Sequence, residues 1–172
     1  MFRTRRSGDH EGKAGGRAHV DYSGGVYGSM LAASVIVGAG GLGSFPRLEL
    51  ALLLLATGVV FWIAHVHAQL FGKRMSQRHL SRDIVMSVCG EEWPIVKAAI
   101  PPAIAVLVSP LLDLGDQGTV WLALVVAIGG QVGWSLAAAF RLGASTRLVV
   151  VAAAVNLVLG LAIILLKVFL TH

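Results

Sequence analysis

Residues 93–112 read WPIVKAAIPPAIAVLVSPLL, and whether this stretch crosses a bilayer decides the fold. It is apolar apart from Lys97 near its start and carries Pro101-Pro102 at its middle. About 20 apolar residues rising 1.5 Å each span the hydrocarbon core. Lys97 lies close enough to one end to snorkel to the interface. The proline pair removes two backbone donors, which predicts a helix break and freed carbonyls.

Four further spans are expected at 22–45, 48–72, 117–140 and 148–170. They are built on the uncharged runs Tyr22–Phe45, Leu50–Gly72, Gln117–Phe140 and Leu148–Leu166. The distribution of Lys and Arg decides whether residues 93–112 join them. With five crossings and the N-terminus inside, the cytoplasmic set is Arg3, Arg5, Arg6, Lys13, Arg17, Lys73, Arg74, Arg78, Arg82, Lys97, Arg141 and Arg147. Only Arg47 and Lys167 fall outside, and without the third crossing Arg141 and Arg147 would join them. The positive-inside rule therefore predicts five spans with the C-terminus outside. The expected fold is all-α, a polytopic membrane helical bundle in the plasma membrane.

Composition agrees. Apolar residues make up 56% of the 172-residue chain, charged residues 13%, and mean hydropathy is +0.77. Soluble domains are about 25% charged. The net charge of +5 sits beside apolar segments, which points to anionic lipid headgroups and excludes a nucleic-acid partner. A lone Cys89 excludes an intramolecular disulfide and a multi-cysteine metal site.

Residues 1–21 are rich in Gly, Arg and His without apolar periodicity, and read as a disordered basic cytoplasmic tail. The basic stretch has no adjacent apolar run, so no signal cleavage is expected. The transmembrane domain is then 22–172. In the connector, Leu80, Ile84 and Val88 recur at four-residue spacing beside a row of Arg74, Arg78 and Arg82. Residues 75–90 therefore read as an amphipathic helix on the inner membrane face. Glu91, Glu92 and Pro94 read as a helix start, with acid near the N-terminus and proline in the first turn.

Gly38, Gly40 and Gly43 match G-x-G-x-x-G after an apolar run, as in dinucleotide-binding folds. That fold requires an acidic residue about 20 positions later. Residues 58–66 contain none, so no cofactor is expected. Helix packing is the alternative, since small residues allow close approach in lipid. The candidate rows are Gly25-Ser29-Ala33, Gly28-Ala32-Gly40, Gly129-Gly133-Ala137 and Ala152-Asn156-Gly160.

Ionisable residues inside a membrane are functional candidates because they are costly there. His65 and His67 are two apart, about 200° around a helix, so they do not share a metal, and no metal site is expected. The candidate is a polar patch of His65, Gln69, Gln131 and Asn156 between helices, beside the Pro101-Pro102 break. A neutral histidine there could relay protons or bind an ion. The alternative is interhelical hydrogen bonding. No catalytic constellation is present; Asp113 and Asp116 read as solvated turn residues.

The segments Tyr27-Gly28-Ser29, Ala64-His65-Val66-His67-Ala68, Glu92-Trp93-Pro94-Ile95-Val96 and Asn156-Leu157-Val158-Leu159-Gly160 together resemble a set of small actinobacterial multi-spanning integral membrane proteins. That family has no assigned activity, so the resemblance implies a plasma-membrane protein and carries no site residues. Three functions are expected to compete. The first is small-ion or proton transport through the patch around His65, in a homo-oligomer among membrane lipids. The second is a non-catalytic accessory or scaffold subunit packed against a larger membrane complex. The third is an intramembrane enzyme, for which the sequence offers no catalytic constellation.

Overall fold

The computed structural model describes residues 11–41, 46–76, 81–141 and 143–171, with side chains described over 22–40, 46–74, 81–141 and 143–169. The described residues are helical apart from short turns. In chain order the elements are α1 (Glu11–Gly41), α2 (Arg47–Ser76), α3 (Arg82–Glu92), α4 (Pro94–Val108), a 3-10 turn (Ser109–Leu112), α5 (Asp116–Arg141) and α6 (Thr146–Thr171). Five segments are long and apolar enough to cross a membrane: Tyr22–Gly40, Arg47–Arg74, Arg82–Leu112, Asp116–Arg141 and Thr146–Phe169.

Local signals set the helix ends. α2 carries Glu49 in its first turn and Lys73 and Arg74 in its last, and α5 has Asp116 and Arg141 in the same places. Both arrangements complement the helix dipole. The Oγ of Ser81 accepts from the Ile84 amide and caps α3. α5 closes with Gly143 N–H donating to the Phe140 carbonyl and Ala144 N–H to the Ala139 carbonyl, with Gly143 left-handed at φ 61°. That is a Schellman motif, whose turning residue favours glycine. The same pair of bonds ends the 3-10 turn, from Asp113 to Pro110 and from Leu114 to Ser109, with Asp113 at φ 51°.

α1 is the hub, packed on α5 and α4 most extensively and also on α2 and α6. The core joins Ala33 and Ile36 of α1, Leu54 of α2, Val106 of α4 and Leu124 of α5, all at most 1% exposed. Small residues make the close approaches. A Cβ on Gly28 would lie 2.6 Å from the Ile95 carbonyl oxygen, and one on Gly40 would lie 3.2 Å from Val120. Gly38 and Gly40 thus lie within a helix, Gly40 against α5; Gly43 lies outside the described residues. One expected row is corrected: Gly129 and Gly133 are exposed with nothing within 4 Å of a built Cβ. In α5 it is Gly130 that meets α1, at the Ser29 hydroxyl.

The third membrane-length segment is neither a separate connector plus span nor a broken helix. α3 is amphipathic, exposed along Arg82, Asp83, Met86 and Ser87. It packs on α1 and α2, and its buried residues Val88 and Glu92 continue at helical spacing into Ile95, Val96 and Ala99 of α4. Arg78 and Leu80 of the expected amphipathic rows lie outside the described residues. Nor does Pro101-Pro102 break the helix, since α4 runs unbroken from Pro94 to Val108. The prolines still donate nothing, so the Lys97 and Ala98 carbonyls lose their usual partners while neighbouring helices hold the geometry. At the opposite end of the molecule's sequence, helical backbone reaches back to Glu11, into part of the segment read as a tail; residues 1–10 lie outside the described residues. Once a turn near Tyr22 is fixed by packing, extending the helix needs only propagation.

The two ends of the bundle are chemically unlike. One end gathers Lys73, Arg74, Arg82, Arg141 and Arg147, with Lys97 one turn into α4. The other holds Arg47 and Lys167, both drawn into the fold. Arg47 donates through Nη2 to the Leu114 carbonyl at 2.7 Å and through Nε to Thr119 Oγ1 at 3.5 Å. Lys167 is 2% exposed, with Nζ 4.0 Å from the centre of the Trp121 ring.

Candidate functional site

The polar residues singled out in the sequence fall into two clusters. The first lies where α2 meets α1 and α3. His65 is half-buried, its ring 4.8 Å from that of Tyr27 on α1. Its Nδ1 lies 3.2 Å from the Phe61 carbonyl. A carbonyl only accepts, so this contact places a proton on Nδ1 and leaves the Nε2 lone pair available in the neutral ring. His67, two residues on, is exposed, as the helical step requires.

Gln69 stands one turn beyond His65 on the same face. Its Nε2 donates to Glu92 Oε1 at 3.3 Å. Glu92 is 5% exposed, the one buried acid among the described residues. The expectation that Glu91 and Glu92 serve together as a helix start is corrected here. Both end α3, and a 100° step separates them. Glu91 accepts from Ser87 Oγ at 2.7 Å and lies 3.8 Å from Lys73 Nζ, while Glu92 turns inward. The signal was present in the sequence, because Glu92 extends the four-residue row of Leu80, Ile84 and Val88. Trp62 ties the same junction, donating from Nε1 to the Cys89 carbonyl at 3.0 Å and meeting Trp93 edge-on at 5.3 Å.

The second cluster joins α5 and α6. Gln131 is fully buried and donates through Nε2 to Asn156 Oδ1 at 3.0 Å. Asn156 in turn donates through Nδ2 to Ser135 Oγ at 3.0 Å and to the Ala152 carbonyl at 2.9 Å. Gln131 Oε1 is buried with no donor. The structure thus brings Gln131 and Asn156 together as expected, adds Ser135, and leaves His65 and Gln69 to other helices. Amides do not titrate, so the α5–α6 cluster is an interhelical tie. Glu92 and His65 bring a carboxyl group and an imidazole to the first cluster. Among the described residues no three His, Cys, Asp or Glu side chains come close enough to hold a metal ion.

No family model, curated protein or solved structure matches this chain.

Proposed function

We propose that this is a plasma-membrane protein, N-terminus cytoplasmic and C-terminus outside, that conducts protons or a small cation through the Glu92–Gln69–His65 junction. The observation that carries the reading is Glu92, a buried carboxylate whose Oε1 is met by the Gln69 amide. Ionisable groups buried in membrane proteins are expensive and mark ion or proton paths. His65, one turn from Gln69, supplies a second exchangeable proton on the same helix face. The basic residues gathered at one end of the bundle support the orientation, and the resemblance to actinobacterial membrane proteins belongs with this reading. The test is proton flux into liposomes holding the purified chain, followed with an enclosed pH dye. The expected result is flux above empty liposomes, reduced at least about tenfold in Glu92→Gln, a loss of more than about 1.4 kcal/mol in barrier terms, and lowered in His65→Ala. Flux equal to that of empty liposomes, or a Glu92→Gln variant as active as the parent, overturns the proposal.

The accessory-subunit reading draws on α6, of whose span only 11% is buried. Isolation from the native membrane with a stoichiometric second protein would support that reading.

A further inference from the structure

A groove of about 480 Å³ runs between α1, α5 and α6, and Tyr27, whose ring meets His65, is one of its lining residues. Its walls are apolar, with Val26 and Met30 on α1, Ala138 and Ala139 on α5, and Leu148 and Ala152 on α6. Along α1 it extends from Tyr22 to Met30, about 12 Å at the helical rise, which is less than half of the hydrocarbon thickness. Its size falls within the roughly 300–1,000 Å³ of small-molecule sites.

The basic end of this groove makes it more than a gap between helices. Tyr22 lines it, and the Arg141 guanidinium carbon stands 5.6 Å from the centre of the Tyr22 ring. Trp134 meets the same ring edge-on at 6.1 Å. Arg147 directly precedes the lining residue Leu148, and both arginines are exposed. α5 beyond Asp116 and α6 carry no acidic residue, while on α1 Asp21 directly precedes Tyr22, so the two arginines outnumber the acid at this end. An apolar slot about 12 Å long, opening at a pair of exposed cations, is complementary to an amphiphile with an apolar tail and an anionic head. Ser23, Tyr27 and Ser135 also line the groove, Ser135 accepting from Asn156.

We infer that the groove holds one anionic phospholipid, its acyl chain between α1, α5 and α6 and its phosphate at Arg141 and Arg147. The inference is independent of the Glu92 reading. Three helices enclose the chain, so this lipid exchanges more slowly than lipid around the bundle. Guanidinium groups suit phosphate through their planar array of donors.

The experiment is native mass spectrometry of the full chain, purified in detergent with equimolar phosphatidylglycerol and phosphatidylcholine. One phosphatidylglycerol should remain bound through activation that strips phosphatidylcholine. Arg141→Gln with Arg147→Gln should lower that retention by about fivefold for each arginine replaced, without altering the groove. Ala139→Phe, which puts a bulky ring into the groove and keeps both arginines, should lower retention clearly while the melting temperature stays near the parent value. Equal retention of the two lipids, unchanged retention in Ala139→Phe, or a lipid-free dimer in place of the lipid-bound chain overturns the inference.

Discussion

Gly25 of α1 lies under the indole of Trp134, with no room for a Cβ. Gly25→Ala must therefore move Trp134 or separate α1 from α5. Overpacking of this kind costs about 1–3 kcal/mol, so thermal unfolding in detergent should shift clearly downward. Gly129→Ala supplies the contrast, since a Cβ there meets nothing within 4 Å; its stability should stay within about 0.5 kcal/mol. The two glycines look alike in the sequence, where both begin a small-residue row. Spacing identifies a row, but the face turned to a neighbour depends on how the helices pack. Gln131 and Asn156 make a second pair of tests. A double-mutant cycle with Gln131→Leu and Asn156→Ala should give a coupling of about 0.6 kcal/mol, and at most about 1.7. Coupling below experimental error would remove the tie assigned to them. Their polarity inside long apolar runs was legible from the sequence, and so was a hydrogen-bonding role. Ser135, their third partner, was not, because a hydroxyl in a membrane helix usually bonds its own backbone, as Ser29 does to the Gly25 carbonyl.

At the scale of elements, the third crossing departs furthest from what the residues suggested. Pro101 is exposed on α4, whereas Pro102 is buried. Pro101→Ala should restore a donor for the Lys97 carbonyl with little loss of packing, raising stability by up to about 3 kcal/mol in the same unfolding assay. Pro102→Ala should gain less, because buried contacts are lost as the bond is regained. The break expected from the sequence assumed that the helix had only its own hydrogen bonds to hold it. Here α1, α2 and α5 surround α4, and that packing keeps helical geometry where two donors are missing. The same enclosure accounts for α3. A row of Leu80, Ile84 and Val88 is equally at home on a bilayer surface or against other helices, and Glu92 at its end is what separates the cases. A charged residue on an apolar row is readily taken for a capping group until a neighbour such as Gln69 is seen to reach it.

For the whole molecule, five helices long and apolar enough to cross a membrane were legible because length and hydropathy depend on local sequence alone. The orientation we propose is testable with the chain in cells, after replacing Cys89 by serine. A cysteine placed at Thr171 should react with a membrane-impermeant thiol reagent in intact cells, and one placed at Ser81 only after lysis. The reverse pattern would invert the topology. The groove was not legible, since it arises where distant segments meet. The hub position of α1 has a consequence for what each span needs from its neighbours. The Tyr22–Gly40 segment has a mean hydropathy of 1.2 and is half buried, whereas Thr146–Phe169 reaches 2.9 with 11% buried. Segments partition into lipid according to their own hydrophobicity. Of the five candidate spans, Tyr22–Gly40 is therefore the one least suited to dwell in lipid by itself, and its main partner, α5, follows it in the chain by about 75 residues. Tyr22–Gly40 thus depends on α5 for much of its packing, whereas Thr146–Phe169 is apolar enough to sit in a bilayer with few neighbours.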